Sequence, residues 1–371
     1  MMKESFDNVF AGLPVLVTGH TGFKGSWLSL WLNELGARVA GYSLPEPPTV
    51  PSHFEMCRLG ERLVDVRGNV CDLESVQEAI ETHRPAVIFH LAAQPLVLRA
   101  YDDPVETFDV NVGGTINLLE AVRTADFVQA VVCITTDKVY AIQDQDWVWG
   151  YRENDPLGGH DPYGASKAMA EMAIAAYRRS YFGDGPAVAS ARAGNVVGGG
   201  DFADYRLVPD CMRALMACEP IRLRNPEYVR PWQHVLESLS GYLWLAAKLL
   251  RHGDAFAEGW NFAPGEMRGV TARAVAEKAI ALWGEGSWTT DGAVKAPEET
   301  SVLRLSGDKA ANRLGWRPAY TWEETMAETV AWFKRYQEER SRPRMYDVGV
   351  AQIQAYTERA RELGLVWAMG E

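Results

Sequence analysis

The chain has 371 residues, is 47% hydrophobic and 23% charged, and carries a formal net charge of −12; that is long enough for one large or two modest domains with a true core. The acidic balance argues against nonspecific binding to nucleic acid or an anionic membrane, and no apolar run approaches the roughly 20 residues of a membrane helix. Five cysteines without a CxxC pair or a histidine cluster predict reduced thiols, a cytoplasmic location and no metal site.

The opening MMKESFDNVFAGLP lacks a basic start followed by an apolar core, so no signal peptide is expected. Next, LPVLVTG reads as a strand, and GSWLSLWLNELG as a helix closing on Gly36. A strand at ARVAGYSL, a helix near LESVQEAIETH and a strand at AVIFHLAA follow. Then come one long helix through FDVNVGGTINLLEAVRTA, the strand AVVCITTD, the helix SKAMAEMAIAAYRRSY and the strand AVASARAGNVVG. Continuous apolar strands alternating with helices predict an α/β fold, a doubly wound parallel sheet covered on both faces. From about Gly198 onward Gly, Pro and Arg increase. Helices are expected there near 207–217, 238–251, 271–283 and 323–340, forming a lid or substrate domain.

The first strand runs directly into Thr18, Gly19, His20, Thr21, Gly22, Phe23, Lys24 and Gly25. Glycines at a strand-to-helix turn permit the tight turn, the approach of a pyrophosphate and close helix–strand packing. The helix end then offers free N–H groups and its positive dipole to phosphate. Lys24 either reaches the phosphates or the adenosine ribose, or faces solvent. The acidic residue expected about 20 positions on to hold a ribose 2′-hydroxyl is missing: Tyr42 and Ser43 stand there, and Glu46 comes later.

DPYGASKAMAE places Tyr163 and Lys167 four apart, on one face of a helix. A lysine ammonium beside a phenol favours the phenolate and lets tyrosine act as a base. Thr136, at the end of CITTDKVY, is positioned to hydrogen-bond the same substrate hydroxyl. The alternative is a surface tyrosine beside a solvated lysine.

Together, the Gly-x-x-Gly-x-x-Gly loop, HLAA at 90–93, NVGGT at 111–115, TTDKVY and Tyr163-x-x-x-Lys167 resemble the extended short-chain dehydrogenase/reductases, over nearly the whole chain. The resemblance implies a Rossmann domain over 1–197, rejoined by segments near 232–263, and a smaller C-terminal α/β substrate domain over 198–371. It implies NAD as cofactor, bordered by the glycine loop. Asn69 and Val70 would lie beside the adenine, Leu91, Ala92 and Ala93 along the cofactor, Thr135 at the cofactor, and Lys167 at the nicotinamide ribose, with Asn111 supporting the Lys167 side through water and backbone. For Asn111, capping or packing is an equal alternative.

Within that family the chain most resembles the nucleotide-sugar 4,6-dehydratases, whose members carry an acidic residue after the active-site threonine; here Asp137 and Lys138 follow Thr136. The resemblance implies oxidation at C4, elimination of water across C5 and C6, and return of the hydride to C6. Asp137 would be the acid, and Lys138 either the C5 base or an electrostatic stabiliser, where sister enzymes have Glu. A 4-epimerase is the competing enzyme; a non-catalytic dinucleotide sensor would not need Thr136, Tyr163 and Lys167 together. Arginine's fork suits diphosphate oxygens, and 206–230 is rich in it. Arg206, Arg222, Arg224 and Arg230, with Gln94, Asn195 and Leu207, are the expected substrate contacts. The expected substrate is CDP-glucose or a related nucleotide sugar, the nucleotide resting on resemblance alone. A homodimer is the expected assembly.

Overall fold

The computed structural model describes residues 2–370 apart from 142–148, 184, 266–269, 291–301 and 340–343. Its centre is a seven-stranded parallel sheet. The strands are β1 (Pro14–Thr18), β2 (Arg38–Ser43), β3 (Val64–Arg67), β4 (Val87–His90), β5 (Ala130–Ile134), β6 (Ala187–Ala193) and β7 (Gly259–Phe262). Their order is β7-β6-β5-β4-β1-β2-β3, so the chain reverses direction across the sheet between β1 and β4. That reversal opens a crevice at the carboxyl ends of β1 and β4, the place where such sheets bind ligands.

Helices cover both faces: α1 (Phe23–Glu34), α2 (Leu73–His83), α3 (Gly114–Arg123), α4 (Pro162–Tyr181) and α6 (Val235–His252), with α5 (Leu207–Met216) between α4 and α6 in the chain. The central strands β4, β5 and β6 are buried along their whole length, which is why they read as unbroken apolar runs. The expected strand LPVLVTG is β1, and the apolar LSGYLWLAAKLL lies inside α6, whose residues 235–249 are buried.

Two elements depart from the expectation. The helix through 104–123 is not regular: Asp109–Gly113 forms a π-type turn between Pro104–Phe108 and α3. Thr115 Oγ1 donates to Asn111 O at 2.7 Å, a side chain inserting into the backbone ladder at the bulge; such bulges recur at functional sites. After α7 (Ala272–Trp283) and α8 (Trp322–Glu338), a further helix, α9 (Met345–Glu362), was not expected from the sequence. α9 packs on α1 through Gly349, where a Cβ would lie 2.9 Å from Leu30 Cδ1.

The later part of the chain is tied back to the sheet. The short strand Asn195–Val197 pairs in parallel with Trp232–His234, opposing Trp232 to Asn195. Glu237, in the first turn of α6, accepts from Ala319 N, Tyr320 N and the Tyr356 hydroxyl at 2.7–3.1 Å. All five cysteines are free thiols. Among the described residues no helix is long and apolar enough to cross a membrane, and no cluster of three potential metal ligands occurs.

Candidate active site

The crevice begins at the glycine loop. Gly19 has φ +73°, and a Cβ on it would meet Ala92 N at 2.7 Å. A Cβ on Gly25 would stand 2.1 Å from Gly19 O. Both positions therefore demand glycine, one for its conformation and both for close approach. Gly22 caps α1 with no side-chain hydrogen bond, leaving first-turn N–H groups for an anion. This cradle fits a dinucleotide pyrophosphate.

Around the loop, several polar side chains are engaged by the protein itself. Thr18 Oγ1 contacts His90 Nδ1 at 2.8 Å and accepts from Ala92 N at 3.2 Å, so it braces the strand carrying half-buried Leu91, Ala92 and Ala93. Thr21 Oγ1 meets Ser43 Oγ at 2.8 Å. His20 is fully buried, with Nε2 on Asp65 Oδ1 at 2.8 Å; burial lowers its pKa against the pull of Asp65. Asp65 lies on β3 opposite Gly41, an acid carried by the strand next to β2 rather than at the end of β2. Tyr42 turns away from the loop, its hydroxyl donating to Asn69 O at 3.0 Å and meeting Ser75 Oγ at 2.8 Å. Asn69 Oδ1 accepts from Cys71 N in its own turn, while Val70 is buried against Gly114. Tyr42 and Thr18 thus support residues at the crevice from behind it.

At the carboxyl end of β5 the reactive groups converge. Asp161 caps α4 by accepting from Gly164 N at 3.0 Å, with Pro162 in the first turn. The cap fixes the start of the helix so that Tyr163 and Lys167 project from successive turns of one face. The Thr136 side chain stands against the Tyr163 phenol and favours its ionised form. Thr136 Oγ1 donates to Asp137 Oδ1 at 3.0 Å, and Lys167 Nζ donates to Ile134 O at 3.2 Å. Phe23 lies half-buried beside Gly198, closing the crevice near Lys24.

Electrostatics give each group a distinct character. Burial pushes the Tyr163 phenol up to about 12; the groups that oppose this are Thr136 and Arg206 rather than the expected Lys167. Lys167 is pulled down to about 8 by burial, with Cys133 and Glu171 working against it. Lys24 also falls to about 8, through burial and the neighbouring Arg206 and Lys167 cations. Asp137 is 3% exposed, and burial raises its pKa above the ordinary carboxylate value although Lys138, Thr136, Arg230 and Lys24 pull the other way. Its Oδ2 has no hydrogen-bond partner and lies 3.0 Å from where a Cβ on Gly194 would be. Glycine at 194 leaves room beside this unpartnered carboxyl oxygen.

The anion-binding candidates divide. Arg206 approaches Tyr163 closely enough to lower its pKa and pairs with Asp201 Oδ2 at 3.0 Å; Leu207 begins α5 directly after it. Arg230 is half-buried and its charge reaches Asp137, beside Asn195 through the Trp232 pairing. Arg222 and Arg224 are exposed, and Arg224 Nη2 donates to Tyr205 O at 3.2 Å. Gln94 is folded into the protein: its side chain donates to Leu96 O and Thr107 Oγ1 and accepts from Leu96 N. Asn111 is equally occupied, accepting from Gln94 N and donating to Gln94 O and Ser166 Oγ. Ser166 in turn donates to Tyr163 O at 2.7 Å, so Asn111 braces the helix that carries the tyrosine.

A family model described as GDP-mannose 4,6 dehydratase matches residues 16–329. The chain belongs to that family. Among its relatives, a CDP-glucose 4,6-dehydratase of Salmonella typhimurium is 47% identical over 336 residues, covering 89% of this chain and 92% of that protein. A dTDP-glucose 4,6-dehydratase of Xanthomonas campestris pv. campestris is 27% identical, covering 86% and 92%. Two solved structures share the fold. One is a dTDP-glucose 4,6-dehydratase from Streptomyces venezuelae with NAD bound (TM-score 0.74, 26% identity, 88% of this chain and 97% of that one). The other is a UDP-glucose 4-epimerase from Thermus thermophilus in complex with NAD (TM-score 0.74, 28% identity, 86% and 98%).

Membership of this dehydratase family leaves one feature of the site that no sequence motif flagged. The side chain of Thr135, a residue expected at the cofactor, donates to Glu171 Oε1 at 2.5 Å. Glu171 forms a buried ion pair with Arg192 at 2.8 Å. The available signal was its position four residues after Lys167 on the same helix face.

Proposed function

We infer that the protein is an NAD-dependent nucleotide-sugar 4,6-dehydratase acting on CDP-D-glucose to give CDP-4-keto-6-deoxy-D-glucose and water. The observation that carries the reaction type is Asp137: a buried carboxyl of raised pKa with an unpartnered oxygen, hydrogen-bonded to Thr136, which stands against the Tyr163 phenol. A simple 4-epimerase has no leaving hydroxyl to protonate and no use for such an acid. The nucleotide and sugar come from the 47% identical relative.

Residue roles follow from placement. The glycine loop, with Gly19, Gly22 and Gly25, would hold NAD, which when bound would supply the hydride acceptor and donor of the reaction. Thr136 and Tyr163 hold the C4 hydroxyl between them, and Tyr163 takes its proton. Lys167 stands one turn behind as the cation that supports the phenolate. The C4 ketone acidifies the C5 hydrogen, and Lys138, following Asp137 at the crevice, serves as its base or stabilises the enolate. Asp137 gives its proton to the departing C6 hydroxyl. Arg206 and Arg230 hold the diphosphate, Asn195 beside them.

The assembly we propose is a homodimer through α4. Met169 and Met172 on α4 are 47% and 53% exposed, and Val105 on the adjoining helix is 69% exposed, an apolar face that a second copy would cover. Free thiols support a cytoplasmic location. Steady-state turnover with CDP-, dTDP-, UDP- and GDP-glucose in the presence of catalytic NAD tests the assignment: preferred water loss from the CDP sugar is expected, and preference for another nucleotide overturns the substrate.

A further inference from the structure

We propose that Glu171 is a positioning residue that sets the catalytic strand end against α4 through the Thr135 hydroxyl. The proposal rests on the dehydratase reading above. Three consecutive residues leaving β5 each engage a different turn of α4. Ile134 O accepts from Lys167 Nζ at 3.2 Å, Thr135 Oγ1 donates to Glu171 Oε1 at 2.5 Å, and the Thr136 side chain stands against the Tyr163 phenol. Thr135 is the middle peg.

Glu171 is suited to anchor that peg because every lone pair is directed. Besides Thr135, it accepts from Ser190 Oγ at 2.7 Å and from Arg192 Nε and Nη2 at 2.9 and 2.8 Å. Burial alone would raise its pKa, but Arg192, Ser190 and Thr135 more than offset this and hold it below the ordinary range. Arg192 is itself fixed, donating to the Tyr140 hydroxyl at 2.8 Å, which donates to Asn261 Oδ1 at 2.7 Å. One anion therefore links β5, β6, β7 and α4 beneath the reacting groups. A displacement of the strand end by an ångström would separate Thr136 from the tyrosine, and misplacements of that size cost roughly 100-fold in rate.

The same carboxylate is also a field. The titratable groups whose charges reach Lys167 are Glu171 on its own helix, Cys133 on β5, His90 at the end of β4, and Lys24 on α1. Burial holds His90 neutral, with its pKa lowered to about 3, and pushes the Cys133 thiol up to about 12. Glu171 is thus the anion of the set, and with Cys133 it works against the burial that lowers Lys167.

Two variants separate these roles. Thr135→Val removes the peg and keeps the shape, and Thr135→Ser restores the hydroxyl. Thr135→Val is expected to lower kcat roughly tenfold or more while KM for CDP-glucose stays within about twofold, with Thr135→Ser close to wild type. In Glu171→Gln, Lys167 followed by NMR of the 13C-lysine-labelled protein is expected to titrate roughly one pH unit lower, and the alkaline limit of kcat to move down with it. Wild-type kcat in Thr135→Val, or an unchanged Lys167 titration in folded Glu171→Gln, overturns the proposal. If Glu171→Gln does not fold, the two Thr135 variants decide alone. Failure of the wild type to dehydrate CDP-glucose would refute the dehydratase reading instead, and the Lys167 titration would still judge Glu171.

Discussion

Replacing Asp137 by Asn isolates the step that separates a dehydratase from an epimerase. The two side chains have the same shape, and the amide oxygen still accepts from Thr136 Oγ1, at 3.0 Å in the wild type. Substrate binding and C4 oxidation therefore stand on intact geometry. What disappears is the acid proton at the oxygen that has no partner in the protein. General acid catalysis contributes roughly 100- to 10,000-fold, or about 3–5 kcal/mol of barrier. At 3% exposure the site offers poor access to a replacement water, which places the loss toward the upper part of that range. In a stopped-flow experiment with CDP-glucose, Asp137→Asn should convert bound NAD to NADH and hold it there, with almost no water lost from the sugar. Normal turnover would refute the role of Asp137. Loss of the NADH signal itself would show that Asp137 is needed before elimination.

Other positions yield sharper contrasts. Tyr163→Phe should bind NAD and CDP-glucose with near wild-type affinity, measured calorimetrically, yet give no NADH on mixing; residual C4 oxidation at the wild-type rate would remove the tyrosine from the chemistry. Gly25→Ala puts a methyl 2.1 Å from Gly19 O, so a fluorescence titration should show NAD affinity reduced at least tenfold, a loss of about 1.4 kcal/mol, and unchanged affinity would argue against the cradle. Buried Glu237 is raised from 4.5 to about 7, chiefly by burial. The folded state therefore keeps a proton that the unfolded chain releases, so the associated stability is full below 4.5, falls as pH rises to about 7 and is constant beyond, by about 3 kcal/mol in all. Glu237→Gln should flatten that dependence in urea denaturation and be the more stable protein at pH 8; a dependence equal to wild type would contradict it.

The Rossmann core was legible because its physics is local. Strand residues 87–90 and 130–134 are fully buried, and burial on both faces leaves an apolar run that sequence displays directly. Gly19 and Gly25 were legible because steric exclusion leaves glycine alone. The side-chain traffic was less so. Thr18, Tyr42, Gln94 and Thr135 are the residue types a ligand site uses, but their hydroxyl and amide groups satisfy partners between 2 and 74 positions away in the chain. No spacing rule reports such contacts. The bulge at 109–113 escaped for the same reason, since its sequence is helical and only the engaged Asn111 carbonyl marks it. α9 carries polar and small residues among few large apolar ones, so its periodicity is weak although Ile353 and Tyr356 are fully buried.

The measurement that bears most directly on the central claim follows one hydrogen. CDP-glucose deuterated at C4 is incubated with the protein and substoichiometric NAD, and the product is examined by mass spectrometry and NMR. The account predicts a sugar lighter by one water, with the deuterium now on C6 and no net accumulation of reduced cofactor. A product of unchanged mass, with the deuterium still at C4 and the C4 configuration inverted, would contradict it and make the protein an epimerase.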